Sequence, residues 1–277
     1  VHIKIFWNLV GEFAGFDILA GFPLTKFDHL EYSSADYEKL NQLLQDDISI
    51  LSRKKVNGLV DVGKKRHSKT VDAVTAATQL AVKNVIVDGA LYSCFTIWHL
   101  VHGEVKGKIR KQTAAIYDDY LQQEFLFSDS DSYWLYAVER MADSDYERFM
   151  GQIFFIFKSA NPLVRKIILQ KVPSRLMKAS YIQVKFSSLF SFIDQNSRTL
   201  LLERLQQAEK IDHRCLQDLC ANLQLMSRNQ IKYLFRILKK EKNLPANIYT
   251  TLNQAATADD FAFAHIVKRE LEQLLTD

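Results

Sequence analysis

The sequence predicts an α+β N-terminal domain followed by a mainly α-helical, solenoid-like array, and three observations carry that reading. His2-Ile3-Lys4-Ile5-Phe6-Trp7 is rich in β-branched and aromatic residues and is followed by Gly11 and Gly15, the signature of a strand and a turn. Nine glycines and four prolines in 277 residues leave long uninterrupted stretches, which favours helices over a sheet-rich architecture. Helix starts expected near Tyr181, His213 and Ala246 recur at intervals of about 33 residues, alternating with starts near Leu163, Thr199 and Asn229. That is the spacing of paired-helix repeats of the HEAT or TPR general type. The expected division is residues 1–103 and 104–277.

Taken in order, Val10 to Ile18 reads as the returning strand of a hairpin, and Phe22 to His29 as a loop. Ser33, with Asp36 in the first turn, opens a helix expected to reach about Leu51, with Tyr37, Leu40, Leu43, Leu44 and Ile48 on its apolar face. Arg53 to Lys69 is basic, with Leu59-Val60-Asp61-Val62 a short strand candidate. Helical patterns follow over Leu80–Val87, Ala90–His102 and Val105 to about Phe127. Ser144 to Glu147 and Ser227 to Gln230 read as capping boxes, and Asn161-Pro162 as an N-cap with proline at the first helical position. Pro245 opens a further helix.

At 48% hydrophobic and 25% charged the chain can bury a core and is long enough for two units. Its 36 basic and 32 acidic residues leave +4, well short of the concentrated positive stripe of a dedicated nucleic-acid binder, so no nucleic-acid partner is expected. Cys94, Cys215 and Cys220 make an odd count and read as free buried thiols. The longest membrane-span candidate, Ala90 to Val101, is short and broken by Ser93 and His99, so no transmembrane segment is expected in this chain.

The stretch with chemical character runs from Lys69 to Gln79, between Lys64-Lys65-Arg66-His67 and the apolar run from Leu80. It places Thr78 near a strand-to-helix transition, where orphan backbone donors and the positive end of a helix dipole can hold a phosphate. The plain alternative is that Asp72 or Thr75 caps a helix starting at Ala76-Ala77-Thr78. Asp72-Ala73-Val74-Thr75-Ala76-Ala77-Thr78 resembles the D-x-x-[ST]-[GA]-A-T motif of the FMN-binding domains of NosR- and NqrC-type redox proteins. The resemblance covers about residues 1–90. It implies that Thr78 carries FMN through a phosphoester made by a flavin transferase. Asp72 is then the motif aspartate, and Thr75, Ala76 and Ala77 are the small residues that let the phosphate approach. It further implies a periplasmic or other extracytoplasmic location, with a signal segment that is not part of the given chain. Ala76 stands where glycine is commonest in the family, and Gln79 stands where Thr or Ser usually follows. Two functions are therefore expected. One is a flavin-carrying electron-transfer module, not a self-contained enzyme, whose helical array docks a redox partner. The other is a non-catalytic interaction scaffold with a degenerate FMN-binding-like domain.

Other constellations carry less. The basic run Arg53, Lys54, Lys55, Lys64, Lys65, Arg66 and Lys69 suits an FMN phosphate, but a solvated loop is the better reading. His99 and His102, with Asp28-His29, could share a metal, against the commoner core role of such histidines. Asp118-Asp119 and Glu124 fit a polar helix face. Asp129-Ser130-Asp131 opens like an EF-hand loop, but Trp134 and Arg140 occupy the positions that need glycine and glutamate. Trp98, Tyr133, Trp134, Tyr136, Phe149, Phe154, Phe155 and Phe157 suit a flavin ring or, more ordinarily, a core.

Overall fold

In a computed structural model of the chain, residues 2–53 and 85–276 are described. The protein is about 67% helical with a small two-stranded antiparallel sheet at its N-terminus, the expected α+β start and helical continuation. It divides into two compact units, Val1–Tyr117 and Asp118–Asp277.

In the first unit β1 (Ile3–Trp7) pairs antiparallel with β2 (Phe13–Ile18), with a register shift between Phe6 and Trp7. Asn8 shapes the turn, its side-chain oxygen accepting from the backbone N–H groups of Val10 and Glu12 at 3.1 and 2.9 Å. Gly11 completes it at φ +75°, and a Cβ there would meet the Lys106 carbonyl oxygen at 2.8 Å, so glycine is required both for the conformation and for the close approach. Helix α1 (Ser34–Gln45) starts at a capping box between Ser33 and Asp36. Lys26 sits 2.9 Å from Asp36, and its hydrogen bond, with those from Ser33, lowers the Asp36 pKa to about 2. The helix ends at Asp46, earlier than expected, and Ile48, expected in the core, is 78% exposed.

Helix α2 (Leu91–His102) packs on α1 and closes its C-terminal end. Trp98 Nε1 donates to the Asp46 carbonyl at 2.8 Å, and His102 Nε2 lies 3.0 Å from the Leu44 carbonyl. Two carbonyls near the helix end thus find side-chain partners. Leu40, Leu43, Leu44, Cys94, Ile97, Trp98 and Val101 form the shared core.

The pattern from Val105 to Phe127 is not one helix. Helix α3 (Glu104–Ile116) stops at Tyr117 in extended conformation, and α4 (Asp119–Leu126) restarts with the Asp118 side chain accepting from Leu121 N–H. The division falls at this break and not at 103/104. Its cause is visible in α3: Arg110 Nε donates to the Val10 carbonyl at 2.9 Å and Thr113 Oγ1 to the Leu9 carbonyl at 2.5 Å, tying the helix to the hairpin turn.

The second unit continues with α5 (Asp131–Arg140), α6 (Asp143–Ser159), α7 (Pro162–Lys171), α8 (Ser174–Met177), α9 (Ser180–Ser188), α10 (Gln195–Gln206), α11 (His213–Ala221), α12 (Arg228–Leu238), α13 (Ala246–Thr257) and α14 (Ala264–Thr276). Helix α6 begins one residue before Ser144, so the capping box expected there does not form. Two rows result. In one, α5, α7, α10, α12 and α14 pack in succession, and in the other α9, α11 and α13 do so. Phe186 of α9 meets Phe154 and Phe157 of α6, each pair of rings 5.0 Å apart, which extends the second row.

Candidate interaction surface

The second unit repeats in physical detail what the sequence shows only as spacing. Helices α7, α10 and α12 start at Pro162, Gln195 and Arg228, and α9, α11 and α13 at Ser180, His213 and Ala246, each 33 residues after the one before. Ile168, Leu201, Leu234 and Val267 share that register and are all fully buried in one row. Ile153, Phe186, Leu219 and Leu252 do the same in the other. The residue type changes at each step while burial does not, so a search for repeated letters misses the ladder.

The caps repeat as well. Asn161, Asp194 and Ser227 each accept from backbone N–H groups of the following helix. Four residues into the first two repeats stands an arginine that clamps the adjoining turns. Arg165 donates to the carbonyls of Phe157 and Lys158 and to Asp194 Oδ2, at 2.9, 2.9 and 3.3 Å. Arg198 donates to Phe190, Ser191 and Leu225 carbonyls at 2.9, 3.2 and 2.9 Å. The planar guanidinium spreads its donors over Nε and both Nη atoms and so spans acceptors on two turns, a reach that the single nitrogen of a lysine lacks. Burial works against the Asp194 carboxylate, but hydrogen bonds from Ser197 and Arg165 hold its pKa below the ordinary range. The recurrence Asn161–Arg165 and Asp194–Arg198 was the signal in the sequence that could have found this device. Gln183 adds a further tie between repeats, donating to the Met177 and Lys210 carbonyls and accepting from Asp212 N–H.

Between α7 and α10 this framework holds open a groove of about 480 Å³. Leu163, 51% exposed, and Leu200 give it an apolar floor, with Lys166 and Glu203 offering opposite charges and Asn196 and Thr199 hydrogen-bonding groups. Tyr233 of α12 donates to Glu203 Oε1 at 2.9 Å, which orients that carboxylate. Three apolar residues, Pro162, Leu163 and Leu200, thus stand among six polar or charged ones in its lining.

Asp72, Thr75, Ala76, Ala77 and Thr78 lie outside the described residues, as do Leu59 to Val62 and the basic residues from Lys54 to Lys69. A cleft of about 320 Å³ in the first unit is lined in part by Lys26, Phe27, Gly89 and Tyr92, and the charge of Lys26 is spent on Asp36. His102 closes α1 and burial lowers its pKa, while His99 packs on the rings of Phe95 and Trp98. Among the described residues no group of three or more His, Cys, Asp or Glu side chains is arranged to hold a metal. Asp131 Oδ1 accepts from Asn161 N–H at 3.0 Å and so serves as a tie between turns. The aromatic set is spent on internal packing: Tyr133 stacks on Phe125 at 4.3 Å, Tyr136 meets Phe125 edge-on, and Trp134 meets Phe155 edge-on. Cys94, Cys215 and Cys220 are free and buried, and burial pushes the thiols of Cys215 and Cys220 up to about 12. No helix among the described residues is long and apolar enough to cross a membrane.

No protein-family model matches the chain. No curated protein and no solved structure matches it either.

Proposed function

We propose that this protein is an interaction scaffold, whose second unit is a paired-helix solenoid presenting the groove between α7 and α10 to a polypeptide partner. The supporting observation is the 33-residue register, which recurs in helix starts, caps and buried ladders together. Stacked repeats of this kind bury a continuous core and present a regular row of helices, the arrangement that extended peptide-binding surfaces use. The occupant that fits is a short segment with an apolar residue for Leu163 and Leu200 and a charge of either sign for Lys166 or Glu203. Photo-crosslinking from position 200 in the native host tests this. A discrete protein adduct that disappears in Leu163→Asp is expected, and a chain that gives no adduct, or the same adducts with and without the substitution, contradicts it.

A second reading rests on the Asp72–Thr78 motif: the first unit carries FMN as a phosphoester on Thr78, and the chain is the flavin-bearing component of an extracytoplasmic electron-transfer system. The redox chemistry would be the cofactor's. Intact-mass measurement of the chain co-expressed with a flavin transferase decides it. Added FMN mass that vanishes in Thr78→Ala supports attachment, and an unchanged mass overturns it.

A further inference from the structure

The second unit carries an unusual separation of charge. Between Lys111 and Arg140 the chain has six acidic residues and no basic one, and between Glu147 and Asp194 it has eight basic residues and no acidic one. The fold gathers part of the basic set along one edge. The turns around 171–178, 204–212 and 238–242 lie side by side there: Arg204 donates to the Val172 carbonyl, Glu241 accepts from Ile211 N–H at 2.8 Å, and Lys240 reaches the Gln206 carbonyl.

The acids along that edge are already engaged. Glu209 takes Lys178 at 3.2 Å, Asp212 takes Arg214 at 3.3 Å, and Glu241 holds the Ile211 amide. Lys171, Lys210 and Lys242 are exposed and make no ion pair among the described residues. The uncompensated charge of the edge is therefore positive, and what it attracts is negative. Lys178, Lys210, His213 and Arg214 also surround a cleft of about 440 Å³ on it.

The complementary surface is on the same chain. Asp119, Glu124 and Asp129, on and just after α4, are exposed and likewise without an ion pair among the described residues. Tyr120 and Phe127, 68% and 59% exposed, stand among them and offer apolar contact. Helix α4 packs on α5 and α6, at the start of the rows, whereas Lys210 and Lys242 lie beside α11 and beyond α12, so among the described residues the two surfaces of one copy lie apart.

We infer that the basic edge of one molecule, centred on Lys171, Lys210 and Lys242, docks the acidic segment Asp119–Asp129 of a second copy. The contact goes beyond the scaffold reading, since Lys171, Lys210 and Lys242 are not among the residues that line the groove between α7 and α10, and it stands or falls independently of that groove. A membrane is disfavoured because no exposed leucine or phenylalanine stands on it to insert.

Sedimentation velocity of the full chain tests this, at about 0.05 M and about 0.5 M salt, where screening differs severalfold in reach. At low salt the weight-average mass is expected to rise with concentration, and at high salt to fall back to that of one chain. Lys171→Glu/Lys210→Glu/Lys242→Glu, and separately Asp119→Lys/Glu124→Lys/Asp129→Lys, should each weaken self-association by at least about tenfold. Mixing the two variants restores complementary surfaces and should restore association, which also separates lost contact from misfolding. A native chain that stays monomeric at low salt overturns the inference. So does association that neither reversal weakens or that mixing does not restore, and so does binding only to a foreign polyanion such as DNA, polyglutamate or anionic vesicles.

Discussion

Arg165 and Arg198 show how single side chains fix the geometry of the second unit. Each spans two successive turns through three acceptors, so truncation leaves carbonyls of both turns, or for Arg165 the Phe157 and Lys158 carbonyls and the Asp194 carboxylate, without their charged donor. Arg198→Ala should cost about 1–3 kcal/mol in urea unfolding, and Arg198→Lys should recover less than half of it. His102 behaves differently. Burial lowers its pKa in the folded protein, so the unfolded chain binds the proton more readily and stability falls as pH drops through the ordinary histidine value of about 6.5 toward the lowered one. Asp194 acts further down, because its depressed pKa contributes stability above the ordinary carboxylate range that is lost as pH falls through the folded value. A thermal-melt series from neutral to mildly acidic pH should show the first step in the native protein and not in His102→Gln, where an amide still donates to the Leu44 carbonyl.

Among the elements, the hairpin, α2 and the starts of α11 and α13 were legible because each carries its own local signal: alternation, a dense apolar run, or a helix start recurring in register. The Ser227 capping box formed as its sequence requires. The break between α3 and α4 was not legible. No glycine or proline marks it, and the helical pattern runs through Tyr117, so tertiary ties from Arg110 and Thr113 to the hairpin decide where the helix belongs. Ile48 and Ser144 failed for a related reason, since a shift of a few residues in a helix end moves a side chain from core to solvent or from cap to first turn. The buried ladder was hidden because isoleucine, phenylalanine, leucine and valine fill the same position in turn. Leu201→Ala and Leu219→Ala, one in each row, should each cost about 2–5 kcal/mol, measured by chemical denaturation, whereas Leu163→Ala on the exposed groove should change stability by less than about 0.5 kcal/mol.

At the scale of the molecule, two units with different construction are joined at Tyr117 and Asp118. The first is an α+β unit whose motif stretch, from Asp72 to Thr78, keeps its functional interest in the sequence alone. The second shows a 33-residue register of helix starts and buried positions, and on the proposed solenoid reading its stability should be close to a sum over repeats and their interfaces. Removal of one complete repeat is therefore tolerable in a way that removal of half a repeat is not. The deletion of residues 194–226 joins Ile193 to Ser227, exchanging one helix-capping position for its equivalent and keeping both rows continuous. Far-UV circular dichroism with urea unfolding of this variant, beside a deletion of 194–210 alone, is the most direct measurement. The repeat account predicts native-like helicity per residue and a cooperative transition at reduced stability for the full-repeat deletion, with loss of cooperative unfolding for the half-repeat deletion. Equal damage from both deletions, or a full-repeat deletion that fails to fold, would contradict it.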